Sequence, residues 1–140
     1  MTYFLDFDFT IADTSPLKKG INWKEAQKYI QEIRIFPKAI EFIDRANKNG
    51  DTIYIVSGNV GSTIKMALQH FNIPISLENV CGYRRGYPME NLQRKIRVIQ
   101  EALKHVEDIS QVIYIGDEQD DEKACKELGI QFQLENFSEK

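Results

Sequence analysis

Short apolar runs of strand length alternate with segments of helical periodicity along this chain of 140 residues. We predict strands at Thr2–Phe7, Thr52–Val56, Val80–Tyr83, Gln111–Ile115 and Ile130–Leu134. Helices are predicted between them, because apolar residues recur there every three or four positions. Strands that alternate with helices pair in parallel and are covered on both faces. The predicted fold class is therefore α/β, a Rossmann-like, doubly wound, mostly parallel sheet with helices on both faces.

Length and composition favour one globular domain over residues 1–140. The apolar fraction of 42% and the charged fraction of 28% are ordinary for such a domain. A net charge of −3 argues against general nucleic-acid binding, and the apolar runs are too short to span a bilayer. We expect neither a membrane partner nor a signal peptide. Cys81 and Cys125 lack the spacing of metal ligands, which favours reduced thiols and a cytoplasmic location.

The first apolar run leads into two acidic residues in the segment Tyr3-Phe4-Leu5-Asp6-Phe7-Asp8-Phe9-Thr10. Residues i and i+2 of an extended chain point to the same side, so Asp6 and Asp8 should leave the strand together. They would meet at the carboxyl edge of the sheet, where open α/β folds bind ligands. Two close carboxylates repel each other, and a hard cation such as Mg²⁺ would relieve this. The alternative is that both are solvated loop acids.

Polar residues also follow two other predicted strands. Ser57, Gly58 and Asn59 come just before a predicted helix, whose free N–H groups would favour an anion; an ordinary turn is the alternative. The last long strand runs into Gly116-Asp117-Glu118-Gln119-Asp120-Asp121-Glu122. We expect Gly116 to allow a sharp turn that places Asp117 at the same edge. The alternative is a helix start rich in acids.

Two cations lie near the start of a later predicted helix. Arg94 and Lys95 oppose the helix dipole there, and a nearby anion would compensate. The basic and aromatic segment Tyr83-Arg84-Arg85-Gly86-Tyr87-Pro88 precedes this helix. We interpret it as a solvated loop, the alternative being contact with a substrate phosphate or a nucleic-acid strand.

Residues 14–36 have room only for a short, cap-like insertion of one loop and one helix. Gly20 should break the loop, and Asn22 should cap the helix together with Glu25. We expect Trp23 to pack in the core or a lid, the alternative being that it stacks on a substrate. Pro37 should begin the next helix.

Taken together, four segments occur in order along the chain: Asp6-Phe7-Asp8-Phe9-Thr10, Ile55-Val56-Ser57-Gly58-Asn59, Arg94-Lys95 and Ile115-Gly116-Asp117-Glu118-Gln119-Asp120-Asp121. In this order they resemble the haloacid dehalogenase (HAD) superfamily of phosphotransferases, over nearly the whole chain. The resemblance implies a Mg²⁺-dependent phosphatase that hydrolyses a phosphomonoester through an aspartyl-phosphate intermediate. Its partner would be a phosphorylated small molecule or macromolecule, and an oligomer is compatible with a minimal cap.

The same resemblance implies roles for individual residues. Asp6 corresponds to the nucleophile, and Asp8 to the general acid and base. The implied phosphate ligands are Thr10, Ser57, Gly58, Asn59 and Lys95, with Arg94 as the substitute for Lys95. The implied metal ligands are Asp6, Asp8 through its backbone carbonyl, Asp117 and Asp121.

The chain departs from the family pattern at Phe9, where glycine is common, and in lacking the proline that often follows the lysine. A bulky Phe9 is expected to narrow or gate the mouth of the site. The presence of Asp8 argues against dehalogenation. The competing class is a phosphate-binding or receiver-like regulatory module without turnover, although a receiver would need an aspartate where Ser57 stands.

Overall fold

The structure, a computed structural model, describes residues 1–17 and 23–138. Within these ranges the elements follow in the order β1 (Thr2–Leu5), β2 (Ala12–Asp13), α1 (Trp23–Tyr29), β3 (Arg34–Ile35), α2 (Pro37–Lys48), β4 (Thr52–Val60), α3 (Gly61–His70), β5 (Val80–Tyr83), α4 (Asn91–Leu103), β6 (Val112–Gly116), α5 (Gln119–Leu128) and β7 (Gln131–Leu134). Short 3₁₀ turns at Ile30–Glu32, Leu77–Asn79 and Ile109–Gln111 complete the description.

Five of the strands form one parallel sheet in the order β5-β4-β1-β6-β7. The central strand β1 pairs on both sides, and Leu5 stands level with Ile55 of β4 and Ile115 of β6. The carboxyl ends of these three strands therefore lie side by side. The chain segments that follow them are brought together at one edge of the sheet.

Helices cover both faces of the sheet, as the sequence predicts. On one face α2 and α3 pack against inward residues such as Leu5 and Ile55. On the other face α4 and α5 pack against Phe4 and Tyr114. Neighbouring strand residues point to opposite faces, so the two apolar clusters share the sheet. None of the described helices combines the length and apolarity that a membrane span requires.

Several predicted helix and strand boundaries differ from the structure. Strand β1 ends at Leu5 instead of Phe7, because its register with β4 and β6 ends there, and β6 and β7 each start one residue later than predicted. Strand β4 runs on to Val60 instead of ending at Val56, because its pairing with β5 resumes at Val60 opposite Tyr83 after an irregularity. The helical spacing of Trp23, Ala26, Ile30 and Ile33 predicts a helix that reaches Ile33, whereas α1 ends at Tyr29 and a 3₁₀ turn follows at Ile30–Glu32. The two-residue strands β2 and β3 pair antiparallel. Strand β2 lies in a stretch predicted as loop and β3 follows the predicted helix; neither was predicted, since strands this short leave no periodic pattern.

Other boundaries agree with the sequence. Pro37 is the first residue of α2, as predicted, and β5 spans the predicted Val80–Tyr83. The sequence also predicts that Gly129 ends the last helix, and Gly129 caps α5 with a φ of +73°, which suits glycine. The predicted cap Asn22 and the predicted breaker Gly20 lie outside the described residues. The side chain of Trp23, for which we predicted a core or lid position, lies outside them as well.

Candidate active site

Asp6 follows the central strand and is almost fully buried at the carboxyl edge of the sheet. Its N–H continues the strand pairing by donating to the Ile115 carbonyl at 3.1 Å. Its Oδ1 accepts the Phe7 N–H at 2.8 Å, whereas its buried Oδ2 accepts no hydrogen bond. A buried carboxylate oxygen without a donor is costly unless a cation or ligand compensates.

Lys95 enters the same edge from α4 and is 3% exposed. Its Nζ lies 3.5 Å from Asp6 Oδ2, 2.7 Å from Asp121 Oδ1 and 3.6 Å from Glu118 Oε1. Burial alone would lower the pKa of Lys95, but the charges of these carboxylates outweigh it and raise that pKa. Lys95 therefore stays positively charged beside Asp6.

Asp121 is fully buried, and three donors converge on its carboxylate. Its Oδ1 accepts from Lys95 Nζ at 2.7 Å and from the Tyr114 hydroxyl at 3.2 Å, and its Oδ2 accepts the Glu118 N–H at 3.3 Å. A side chain at Gly116 would overlap this carboxylate. The φ of Gly116 is not positive, so glycine is needed there for space and not for the sharp turn that we predicted.

Three carboxylates come close enough together to hold a metal ion. Within the described ranges, oxygen atoms of Asp6, Asp117 and Glu118 lie within 4.8 Å of one another. Asp117 Oδ1, like Asp6 Oδ2, is buried without a hydrogen-bond partner. Hard oxygen ligands and unpartnered carboxylate oxygens suit Mg²⁺, so these residues fit the ion that the family resemblance implies.

The composition of this group differs in part from the predicted ligand set. Asp121 is absent from the group because its oxygens are directed to Lys95 and the Glu118 N–H. Glu118 is present, although it was not among the predicted metal ligands. Its position directly after Asp117 is the signal that could have identified it.

Burial perturbs the acids of this group. It raises the pKa of Asp6 well above its usual value, and the charges of Asp121 and Asp8 add to the rise while Lys95 opposes it. Burial also raises the pKa of Asp117 to about 6, with further contributions from Asp121 and Glu118. A bound cation would favour the ionised forms of both Asp6 and Asp117.

Asp8 lies beside Asn59, near the end of β4. The Asn59 side-chain amide donates to Asp8 Oδ1 at 3.0 Å, and the Asn59 N–H donates to Ser57 Oγ at 3.1 Å. Ser57 is therefore inside β4, and α3 begins only at Gly61. The prediction that Ser57 directly precedes a helix N-terminus was wrong, because β4 continues beyond it.

The remaining predicted phosphate ligands have distinct surroundings. Thr10 is fully buried, and its Oγ1 has no hydrogen-bond partner. The Gly58 carbonyl accepts from Arg94 Nη1 at 3.5 Å.

Arg94 is engaged away from Asp6. It also donates to the carbonyls of Pro88 at 3.2 Å and Met89 at 2.7 Å, and its guanidinium lies 4.9 Å from the Tyr83 ring centroid. The structure thus places Lys95, and not Arg94, beside Asp6.

The protein is an α/β protein with a parallel sheet. Carboxylates and a buried lysine lie together at the carboxyl edge of this sheet, where open α/β folds bind ligands. The chain belongs to the haloacid dehalogenase-like hydrolases, whose family model matches residues 18–134. The matched range contains Ser57, Lys95 and Asp117, whereas Asp6 and Asp8 precede it. No curated protein matches this sequence.

Solved structures share the fold at low sequence identity. A candidate phosphatase from Clostridium difficile is 20% identical with a TM-score of 0.78, over 99% of this chain and 86% of that one. A haloacid dehalogenase-like family hydrolase from Streptococcus pneumoniae is 21% identical with a TM-score of 0.72, over 99% and 87%. D,D-heptose 1,7-bisphosphate phosphatase from B. bronchiseptica, complexed with magnesium and phosphate, is 15% identical with a TM-score of 0.71, over 96% and 80%.

Proposed function

We propose that this hydrolase is a Mg²⁺-dependent phosphatase that cleaves phosphomonoesters through an aspartyl-phosphate on Asp6. The observation that carries the proposal is the surroundings of Asp6. Its buried Oδ2 accepts no hydrogen bond and lies 3.5 Å from Lys95 Nζ, and Asp6 belongs to a three-carboxylate group. The phosphatases among the proteins of similar fold add support from analogy.

In the first step a carboxylate oxygen of Asp6 attacks the phosphorus atom. The new O–P bond forms as the bond to the leaving oxygen breaks, and Asp8 gives its proton to that oxygen. In the second step Asp8 takes a proton from water, the water oxygen attacks phosphorus, and inorganic phosphate and the Asp6 carboxylate are released. The hydrogen bond from Asn59 to Asp8 Oδ1 orients the acid for both transfers.

Charge governs the attack, because a carboxylate must approach a phosphate dianion. Lys95 supplies a fixed positive charge beside Asp6 and stabilises charge on the equatorial oxygens. Asp6, Asp117 and Glu118 would hold Mg²⁺, which when bound supplies charge neutralisation and in-line orientation. Thr10 Oγ1 and Ser57 Oγ are the hydroxyls proposed to bind phosphate oxygens.

The test is hydrolysis of 4-nitrophenyl phosphate by the purified protein, with Mg²⁺ and with a chelator. We expect Mg²⁺-dependent turnover that falls by about a thousandfold or more in Asp6→Asn, because the amide is not a nucleophile. Asp44→Asn is the matched control, since Asp44 is exposed on α2, away from the carboxyl edge.

Two results would contradict parts of the proposal. Full activity in Asp6→Asn would exclude Asp6 as the nucleophile, and activity that survives the chelator would exclude the metal. A protein without turnover whose melting temperature rises with beryllofluoride would instead be the phosphate-binding or receiver-like module. The Asp6→Asn variant should lose any such rise.

A further inference from the structure

Phe9 occupies a backbone position that suits glycine. Its φ is +61°, in the left-handed region that a side chain with a Cβ atom disfavours. Two backbone contacts with Ala12 hold the turn in this conformation. The Phe9 N–H donates to the Ala12 carbonyl at 2.7 Å, and Asp8 forms a β-bridge with Ala12. Glycine would adopt this turn without strain.

Core packing does not explain the aromatic ring. Phe9 is 47% exposed, whereas Phe4 and Phe7 of the same segment are fully buried. A strained backbone that carries a partly exposed aromatic side chain gains little from the fold itself. Strain of this kind is commonly retained at functional sites.

The position of Phe9 connects the ring with the chemistry. Phe9 directly follows Asp8, which is hydrogen bonded to Asn59, and the Phe9 ring is partly exposed. Because consecutive Cα atoms lie only about 3.8 Å apart, a group bound beside Asp8 is within reach of that ring. If Asp8 protonates the leaving oxygen, the leaving group must lie beside Asp8 and within this reach.

We propose that Phe9 is a specificity-determining residue that selects phosphomonoesters whose leaving group carries an aromatic ring. The inference rests on the proposed function. A flat aromatic group stacks on the Phe9 ring, and both surfaces leave water. A polyhydroxylated leaving group would lose hydration against the same ring without gaining hydrogen bonds from it.

The test compares benzyl phosphate with butyl phosphate, both of which release a primary alcohol. The measured quantity is the ratio of the two kcat/KM values in the wild-type protein, in Phe9→Gly and in Phe9→Tyr. We expect this ratio to fall about tenfold in Phe9→Gly, the size of one lost aromatic contact, and to stay within about twofold in Phe9→Tyr, which keeps the ring. Ile109→Ala is the matched control, because Ile109 is 46% exposed and lies in the 3₁₀ turn that precedes β6, at the opposite edge of the sheet from Asp8.

Stability separates this role from a structural one. Glycine relieves the left-handed strain, so the melting temperature of Phe9→Gly should not fall. A lower melting temperature together with an unchanged ratio would overturn the specificity role and leave the proposed phosphatase intact. If the wild-type protein hydrolyses none of the three compounds, benzyl phosphate, butyl phosphate and 4-nitrophenyl phosphate, the proposed function is overturned and this inference with it.

Discussion

Lys95 donates a buried hydrogen bond of 2.7 Å to Asp121, and this contact fixes the ammonium group 3.5 Å from Asp6. The Tyr114 hydroxyl donates to the same Asp121 oxygen. The carboxylate occupies space that a side chain at Gly116 would fill. Asp121 therefore acts on the site through Lys95. Asp117 and Glu118, from the same acidic segment, join Asp6 in the three-carboxylate group, and Glu118 also lies 3.6 Å from Lys95 Nζ.

The different surroundings of Asp121 and Glu118 predict different effects of removing each charge. Glu118→Gln should weaken Mg²⁺ binding by about tenfold, because it removes the negative charge of one ligand at a partly exposed position. Asp121→Asn should leave Mg²⁺ affinity within about threefold but lower the free energy of unfolding by about 3 kcal/mol, because it breaks a buried ion pair. Calorimetric titration and chemical denaturation measure the two effects.

The opposite pattern would change the assignment. If Asp121→Asn removed metal binding while Glu118→Gln did not, Asp121 would be the ligand that the family resemblance implies. The structure would then differ from the metal-bound form at this carboxylate.

Lys95 and Arg94 are neighbours in the sequence with different surroundings, and their alanine variants should separate. Lys95→Ala should lower kcat by about 10²–10³, the usual loss when a donor to the transition state is removed. Arg94→Ala should lower it by less than about tenfold, because Arg94 binds the carbonyls of Gly58, Pro88 and Met89. Steady-state kinetics on one aryl phosphate checks the order, and the reverse order would make Arg94 the phosphate-binding cation.

Gly82 controls the position of Asn59 from outside the site. A Cβ atom at Gly82 would lie 2.7 Å from the Asn59 carbonyl oxygen and 2.7 Å from the Gly61 nitrogen. Gly82→Ala should therefore shift Asn59, weaken its hydrogen bond to Asp8 and lower the free energy of unfolding by about 1–3 kcal/mol.

The matched control is Gly61→Ala, where the new Cβ would lie 3.9 Å from the nearest Gly82 atoms. It should not lower the free energy of unfolding and should leave kcat within about twofold of wild type, since alanine also favours the helix that begins there. Thermal melts and kinetics of both variants test the prediction, and equal losses in both would refute it.

The raised pKa of Asp117 predicts the pH dependence of metal binding. In the metal-free protein Asp117 is protonated below a pKa of about 6, so Mg²⁺ must displace that proton. Apparent affinity should be nearly constant above pH 7 and fall by about tenfold per unit below pH 6, and more steeply if Asp6 takes up a proton as well. Calorimetric titration between pH 5 and about 8 measures this.

The raised pKa of Asp117 also determines how the stability of the metal-free protein changes with pH. Because the folded-state pKa of Asp117 lies above the usual value of 3.8, the metal-free folded state holds the proton more tightly than the unfolded state. The contribution of Asp117 to stability is therefore full below pH 3.8 and is lost as the pH rises through about 6. Added Mg²⁺ should raise the melting temperature more at pH 7.5 than at pH 5, and Asp117→Asn should remove most of that difference.

Much of the fold could be predicted from local patterns. The apolar run around Phe4 and Leu5 is buried on both faces, as expected of a central parallel strand. Pro37 and Gly129 mark helix ends through their own backbone preferences. The extension of β4 to Val60 was missed because it depends on pairing with β5 across an irregular stretch.

Parts of the site were also within reach of the sequence. Asp6 and Asp117 were expected at one edge because each follows a strand of a parallel sheet, and the structure brings them together. Whether Lys95 or Arg94 faces Asp6 was left open, because neighbouring helix residues differ only by a rotation of about 100°. The packing of α4 on the sheet decides this rotation.

The sequence by itself determined the α/β class, the order of the strands along the chain and the acidic edge, because these follow from periodicity and from strand ends. Only the tertiary structure decided that Asp121 restrains Lys95, that Glu118 joins Asp6 and Asp117, and that Asn59 contacts Asp8. These contacts join side chains far apart in sequence. The first two depend on how α4 and α5 pack against the sheet, and the third on the extension of β4 beside the segment that follows β1, none of which a local pattern encodes.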